Sequence, residues 1–231
     1  MIPSQNLARS CIVVLGILHL AGAVQAAADH EAIFEDALRA INNEYMQSWS
    51  YTETSVESDI SLVGRYDPRR PSGERWKLLS VDGHEPTAAE IEEYADDKAG
   101  DNGDEDNNGV NITVDSESLE LLEETDDHYL FSFMPSDDDE DFIEHLDATV
   151  KIIKDGPYIE YIDMHNSAPF RPRMGVKVSN LVTRLGFGPA AEGGPIVPRF
   201  IDVRIKVRAF MIINIDEKIS ISYGDYEFVG N

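Results

Sequence analysis

The residues whose types and spacing come nearest to a recognisable chemistry are hard oxygen donors. Asp104-Glu105-Asp106-Asn107-Asn108-Gly109 follows the pattern D-x-[DN]-x-[DN]-G, and Asp115 stands six residues after the glycine. In a calcium loop Asp104, Asp106 and Asn108 supply oxygens at alternate positions, Gly109 permits the sharp turn and Val110 offers its carbonyl. Two departures weaken the pattern. Asp115 replaces the usual bidentate glutamate, and Asn111 stands where an apolar residue is normal. A strand, not a second helix, is expected after it. The competing reading is a solvated, mobile acidic loop near residues 100–109, in an acid-rich stretch where such spacing arises by chance. Calcium is the one cofactor the sequence suggests, and no cofactor is the simpler expectation.

Other chemistries find less support. His30, His84, His128, His145 and His165 include no H-E-x-x-H and no close pair, and the only cysteine is Cys11. A structural zinc site lacks thiolates and clustered imidazoles. Glu144-His145 is better explained as an exposed charged face than as a weak metal site. There is no G-x-S-x-G elbow and no glycine-rich phosphate loop. Acid pairs such as Glu92-Glu93 and Glu123-Glu124 carry no information in a chain with 44 acidic residues. The expectation is a protein that is not an enzyme.

The N-terminus speaks to compartment. Arg9 is the only charge before Asp29, and Cys11 to Val24 is an apolar run broken only by His19. Small residues follow at cleavage spacing, Val24-Gln25-Ala26 or Ala26-Ala27-Ala28. Residues 1–28 are therefore expected to be a signal peptide, since a membrane-spanning helix needs about 20 apolar residues. Cys11 opens the apolar run instead of closing it, which argues against lipid modification. The expected mature chain is periplasmic or secreted, has no cysteine and is held by its core alone.

Charge is divided unevenly. Residues 29–150 hold 7 basic and 35 acidic side chains, whereas residues 151–231 hold 11 and 9. A field this negative repels nucleic acid and anionic lipid headgroups. The C-terminal part is the exception. Arg204, Lys206 and Arg208 form the polar side of a strand and are candidates for docking an acidic partner, although charges on a wet sheet face also simply discourage aggregation.

These residues need elements to position them. Asp29 to Gln47 reads as a helix with Ile33, Phe34, Ala37, Leu38, Ile41 and Tyr45 on one stripe. Thr87-Ala88-Ala89-Glu90 is a capping box that starts a second helix, with Ile91, Tyr94 and Ala95 inward and an end near Gly100. Strand patterns cover residues 50–56, 60–66, 75–81, two segments around Thr125-Asp126-Asp127, then 150–153, 158–164 and 176–187. A Gly/Pro-rich connection is expected over 188–198. In the strongest strand Ile201, Val203, Ile205, Val207 and Ala209 alternate with Asp202, Arg204, Lys206 and Arg208. A turn near Asp216 and a last strand through Ile219, Ile221 and Tyr223 complete the pattern.

An exported chain with this order of elements resembles the lipoprotein-carrier superfamily typified by LolA and LolB. Val63-Gly64-Arg65-Tyr66-Asp67-Pro68 and Gly73-Glu74-Arg75-Trp76-Lys77-Leu78-Leu79 add a likeness to exported bacterial proteins of that kind. The resemblance implies an α+β fold over residues 29–231. One large curved antiparallel sheet, an unclosed β-barrel, would wrap around two or more helices. It also implies a crevice between sheet and helices that takes up a lipid or acyl chain. Apolar and aromatic side chains would line such a crevice, and the candidates are Trp49, Tyr51, Trp76, Ile91, Tyr94 and Phe210. The alternative is an envelope protein–protein interaction module using the basic C-terminal face.

Overall fold

The computed structural model describes residues 30–41, 45–101, 113–114, 118–136, 145–210 and 212–230. The expected signal peptide and the calcium-type run with Asp104, Asp106, Asn108 and Asp115 lie outside them. Helices are α1 (residues 30–39), α2 (Tyr45–Ser48) and α3 (Ala88–Asp101). In the N-terminal half the strands are β1 (Trp49–Glu57), β2 (Ile60–Tyr66), β3 (Trp76–Val81), β4 (Thr113–Val114), β5 (Glu120–Glu124), β6 (His128–Phe133) and β7 (Pro135–Ser136). The C-terminal half adds β8 (Asp147–Ile153), β9 (Tyr158–His165), β10 (Phe170–Arg173), β11 (Val176–Pro189), β12 (Ile196–Ala209) and β13 (Ile213–Phe228).

Eleven strands form one open antiparallel sheet in the order β3-β2-β1-β13-β12-β11-β9-β8-β6-β5, with β10 added on β11. β4 and β7 make a separate two-stranded ladder. Most neighbours in the sheet are neighbours in sequence. The exception is decisive: β1 pairs with β13 from Trp49–Phe228 to Glu57–Ile219. The first and last strands thus meet in the middle of the sheet, and β3 and β5 are its edges among the described residues. The segment from β3 to β5 has to travel from one edge to the other, and α3 is its first part.

Register places α1 and α3 on one face. Tyr94 of α3 stands over Gly64, where an added Cβ would collide with its hydroxyl. Gly64 is opposite Glu53, and Glu53 is opposite Tyr223. Two residues along β13, Ile221 faces Ile201, which faces Leu185, which faces Ile162. Residues paired across antiparallel strands, and residues two apart, share a face. Leu185 and Ile162 belong to the core under α1, where Phe34 and Ala37 pack against Phe131, Phe133, Val150, Ile152, Ile159 and Phe187. Phe34 lies 5.9 Å from Phe133, ring centre to ring centre.

α3 starts as expected. The Thr87 amide donates to Glu90 Oε2 at 2.7 Å, and the Glu90 amide donates back to Thr87 Oγ1 at 3.4 Å. The Thr87 amide, together with the Thr87 hydroxyl that donates to the same oxygen at 2.8 Å, holds the Glu90 carboxyl below its ordinary pKa. Tyr94, Leu78 and Val81 form a small core with Leu62 and Trp76 against it. Ile91, expected on the inner stripe, is 48% exposed, because the helix meets the sheet mainly through Tyr94.

Three boundaries differ from the sequence pattern. The first helix ends at residue 39, short of Gln47, and Ile41 instead makes a parallel bridge to Ile196. The Gly/Pro-rich connection shrinks to residues 190–195, because Gly188 and Pro189 still pair with Val197 and Ile196. Pro198 is accommodated at an irregularity opposite Gly186 and Phe187. The turn expected near Asp216 is absent. The chain reverses at Phe210–Ile212, and Asp216 lies in the ladder opposite Lys206 with a 2.7 Å ion pair. Among the described residues, no helix is long and apolar enough to cross a membrane.

Two substitutions test this packing. Phe34→Ala removes the largest side chain that α1 buries and is expected to lower unfolding stability by about 3–5 kcal/mol, read as a lower urea midpoint. Gly64→Ala pushes Tyr94 off β2 and is expected to cost about 1–3 kcal/mol. Its distinguishing mark is faster amide exchange over residues 88–101 with β6, β8 and β9 unchanged.

Candidate functional site

Beyond the area covered by α1, the helix-bearing face opens into an apolar cavity of about 410 Å³. Its walls are Leu146, Met164, Phe170, Pro172, Val178, Leu181, Thr183 and Ile205. Four strands position them. Met164 of β9 faces Thr183 of β11, Leu181 faces Ile205 of β12, and Val178 lies between Phe170 of β10 and Val207 of β12. Val178 and Leu181 are three residues apart, a spacing that puts them on opposite faces of a regular strand. A bulge between Val178 and Asn180 restores them to one side.

The rim is fixed by short polar contacts. Asn166 Oδ1 accepts from the Leu181 amide at 2.6 Å, and Asn166 Nδ2 donates to the Ala168 carbonyl at 2.9 Å. These bonds set the turn that carries Phe170 back onto β11. The His145 ring packs on Phe170 at 4.6 Å. Leu146, Phe170 and Val178 are buried, while Met164, Leu181, Thr183 and Ile205 are half-buried. Among the described residues the lining holds no ionisable group, and Thr183 supplies its only polar side chain. Such walls suit a ligand with an extended apolar part.

The opposite face carries charge. A groove of about 370 Å³ runs among Lys177, Ser179, Lys206, Arg208, Asn214 and Asp216. Lys206 is paired with Asp216, and Arg208 Nε donates to Asn214 Oδ1 at 3.0 Å. Arg204 is exposed and stands opposite Lys218. The structure therefore brings Lys206 and Arg208 together and leaves Arg204 one step outside the groove. Nearer the sheet centre, Arg184 stacks over Tyr161 at 4.3 Å and binds Asp163 at 3.1 Å. Burial raises the Asp163 pKa, and Arg184 opposes that shift.

None of the six aromatic and apolar residues singled out from sequence lines the cavity. Four meet elsewhere, in or beside an aromatic cluster under α3. Tyr51 stacks on Tyr66 at 5.1 Å and meets Trp76, Tyr223 and Tyr226 at 5.4–5.9 Å. Trp76 contacts Tyr94 edge to face at 6.5 Å, and Trp49 packs on Phe228 at 5.4 Å. Lys98 closes this cluster from α3. Its ammonium lies 4.3 Å over the Trp76 ring and 2.8 Å from the buried Glu53 carboxylate. Burial raises the pKa of the Tyr94 hydroxyl, with Glu53 adding to the shift, and among the described residues that hydroxyl has no hydrogen-bond partner. Ile91 and Phe210 are exposed on the surface.

The cavity-lining residues were missed because aromatic side chains drew attention to the N-terminal strands. The alternation in residues 176–187 was visible, but an odd spacing concealed that Val178 and Leu181 share a face. Clusters of three or more His, Cys, Asp or Glu able to hold a metal are absent among the described residues. No protein-family model matches the chain, nor does any curated protein or solved structure, so the case for its function rests on its own geometry.

Proposed function

We propose that this is a non-enzymatic periplasmic protein that binds a lipid or acyl chain on the helix-bearing face of its sheet, in envelope lipid or lipoprotein handling. The cavity bounded by Met164, Phe170, Leu181 and Ile205 is the observation that carries this reading. Its volume of about 410 Å³ falls within the roughly 300–1,000 Å³ usual for small-molecule sites. Apolar walls with a single hydroxyl favour a methylene chain over any polar metabolite. The half-barrel arrangement, with a curved sheet wrapping around helices, belongs to the same proposal. Its support is the open sheet with α1 and α3 on one face. In that arrangement the half-buried row Val203, Ile205 and Val207 continues the cavity wall along β12.

A second reading has its own observation. The basic groove at Lys206 and Arg208, with Arg204 beside Lys218, suits an acidic segment of an envelope protein. That reading places the contact on the opposite face and needs no ligand in the cavity.

A chain-length series separates the two. Each buried methylene contributes about 0.8 kcal/mol, so calorimetric affinity for saturated fatty acids is expected to rise about fourfold per carbon until the cavity is filled, then level off. Leu181→Trp places a larger ring in the cavity and is expected to shorten the chain length at which affinity levels off, with little loss of thermal stability. Affinity independent of chain length, or unchanged in Leu181→Trp, would refute the acyl-chain reading.

A further inference from the structure

Two hairpin tips lie side by side where the cavity-bearing strands end. β10 turns into β11 through Met174 and Gly175, and β12 turns into β13 across residues 210–212. The Phe210 amide donates to the Gly175 carbonyl at 2.6 Å, and the Phe210 ring covers Gly175 so closely that an added Cβ would meet it at 3.0 Å. The tips therefore form one joined surface. Its apolar side chains point away from the core: Met174 is 96% exposed, Ile212 81% and Phe210 65%.

Phe210 is doubly disfavoured there. It leaves most of a large ring in water, and its φ of 50° lies in the left-handed region that suits Gly or Asn. Neither condition helps the fold. A cluster of exposed large apolar residues marks a contact surface.

The charge around the tips indicates the partner. The hairpin ends, residues 170–177 and 204–218, hold seven arginines and lysines against two acidic residues, Asp216 and Glu217, in a chain whose net charge is −25. Arg171, Arg173 and Lys177 flank the Met174 turn, are exposed, and make no ion pair among the described residues. Lys206 and Arg208 lead into the Phe210 turn. Beyond about 8–10 Å salt screens the remote acidic residues, so a surface touching the tips meets a positive collar around an apolar point.

We propose that the paired tips dock this protein onto a bilayer carrying anionic headgroups. Met174, Phe210 and Ile212 enter the headgroup boundary, while Arg171, Arg173 and Lys177 meet the phosphates. Apolar insertion and electrostatic attraction act together, as in interfacial membrane anchors. Phe170, Pro172 and Val178 of the cavity wall lie within four residues of Met174, so docking brings the cavity close to the lipid. The docking itself does not depend on what the cavity holds.

The test is co-sedimentation of the purified protein with vesicles of phosphatidylcholine alone and with added phosphatidylglycerol. The expected result is pelleting with the anionic vesicles, falling as salt is raised. Binding should drop about tenfold or more in the triple variant Met174→Ser, Phe210→Asn, Ile212→Ser. Asparagine tolerates the left-handed conformation, so the variant's melting temperature should be unchanged or higher, which excludes unfolding as the cause. Leu181→Trp should bind these vesicles like the wild type, which keeps this test separate from the cavity proposal. The proposal is overturned by absence of wild-type pelleting, by undiminished binding of the triple variant, or by binding equal on neutral and anionic vesicles. It is also overturned if light scattering shows a wild-type dimer that the same substitutions dissolve, since the tips would then serve a second copy.

Discussion

The structure depends on covering one apolar face of an open antiparallel sheet. An unclosed sheet of this size turns apolar residues to one side along most of its strands, and that side must be removed from water. The chain meets the constraint unevenly. α1 lays Phe34 and Ala37 over β6, β8, β9 and β11, producing the most deeply buried core. α3 lays Tyr94 over β2 and β3. Between and beyond them, Val203, Ile205, Val207, Ile219 and Ile221 are only half-buried. The cavity lies in the same half-buried region.

The covered and uncovered parts differ in how they are held. Under α1 the packing is aliphatic and aromatic with no polar demand. Under α3 it mixes stacked rings with the buried Glu53–Lys98 pair. That pair fixes the end of α3 against β1, because separating it would leave a carboxylate buried without its partner. The pairing of β1 with β13 ties both regions together and makes the ends of the chain interdependent. A strand order that brings first and last strands together requires contacts between residues far apart in sequence, and such contacts slow folding.

Much of the fold was legible in the sequence because its causes are local. The Thr87–Glu90 capping box and the alternation from Ile201 to Ala209 each depend on neighbours within a few residues. The failures have longer-range causes. Asp216 resembled a turn residue, but its cross-strand partner Lys206 holds it in the ladder. Phe210 reads as a crevice-lining residue, yet it occupies the turn itself. The site was less legible than the fold. Composition drew attention to Trp49, Tyr51, Trp76 and Tyr94, which pack on one another or on neighbouring aromatic rings. The cavity is formed by ordinary aliphatic residues whose convergence depends on a bulge and on the return of β10 onto β11.

The central claim is that the uncovered part of the sheet holds an apolar molecule. Native mass spectrometry of the protein as purified, compared with the same sample after extraction by organic solvent, addresses it most directly. The account predicts an added mass that solvent removes and that is identified in the extract as a lipid or fatty acid. It also predicts that Leu181→Trp purifies with less of the added mass. A wild-type protein that carries no extractable mass, and takes none up when incubated with fatty acids, would contradict it.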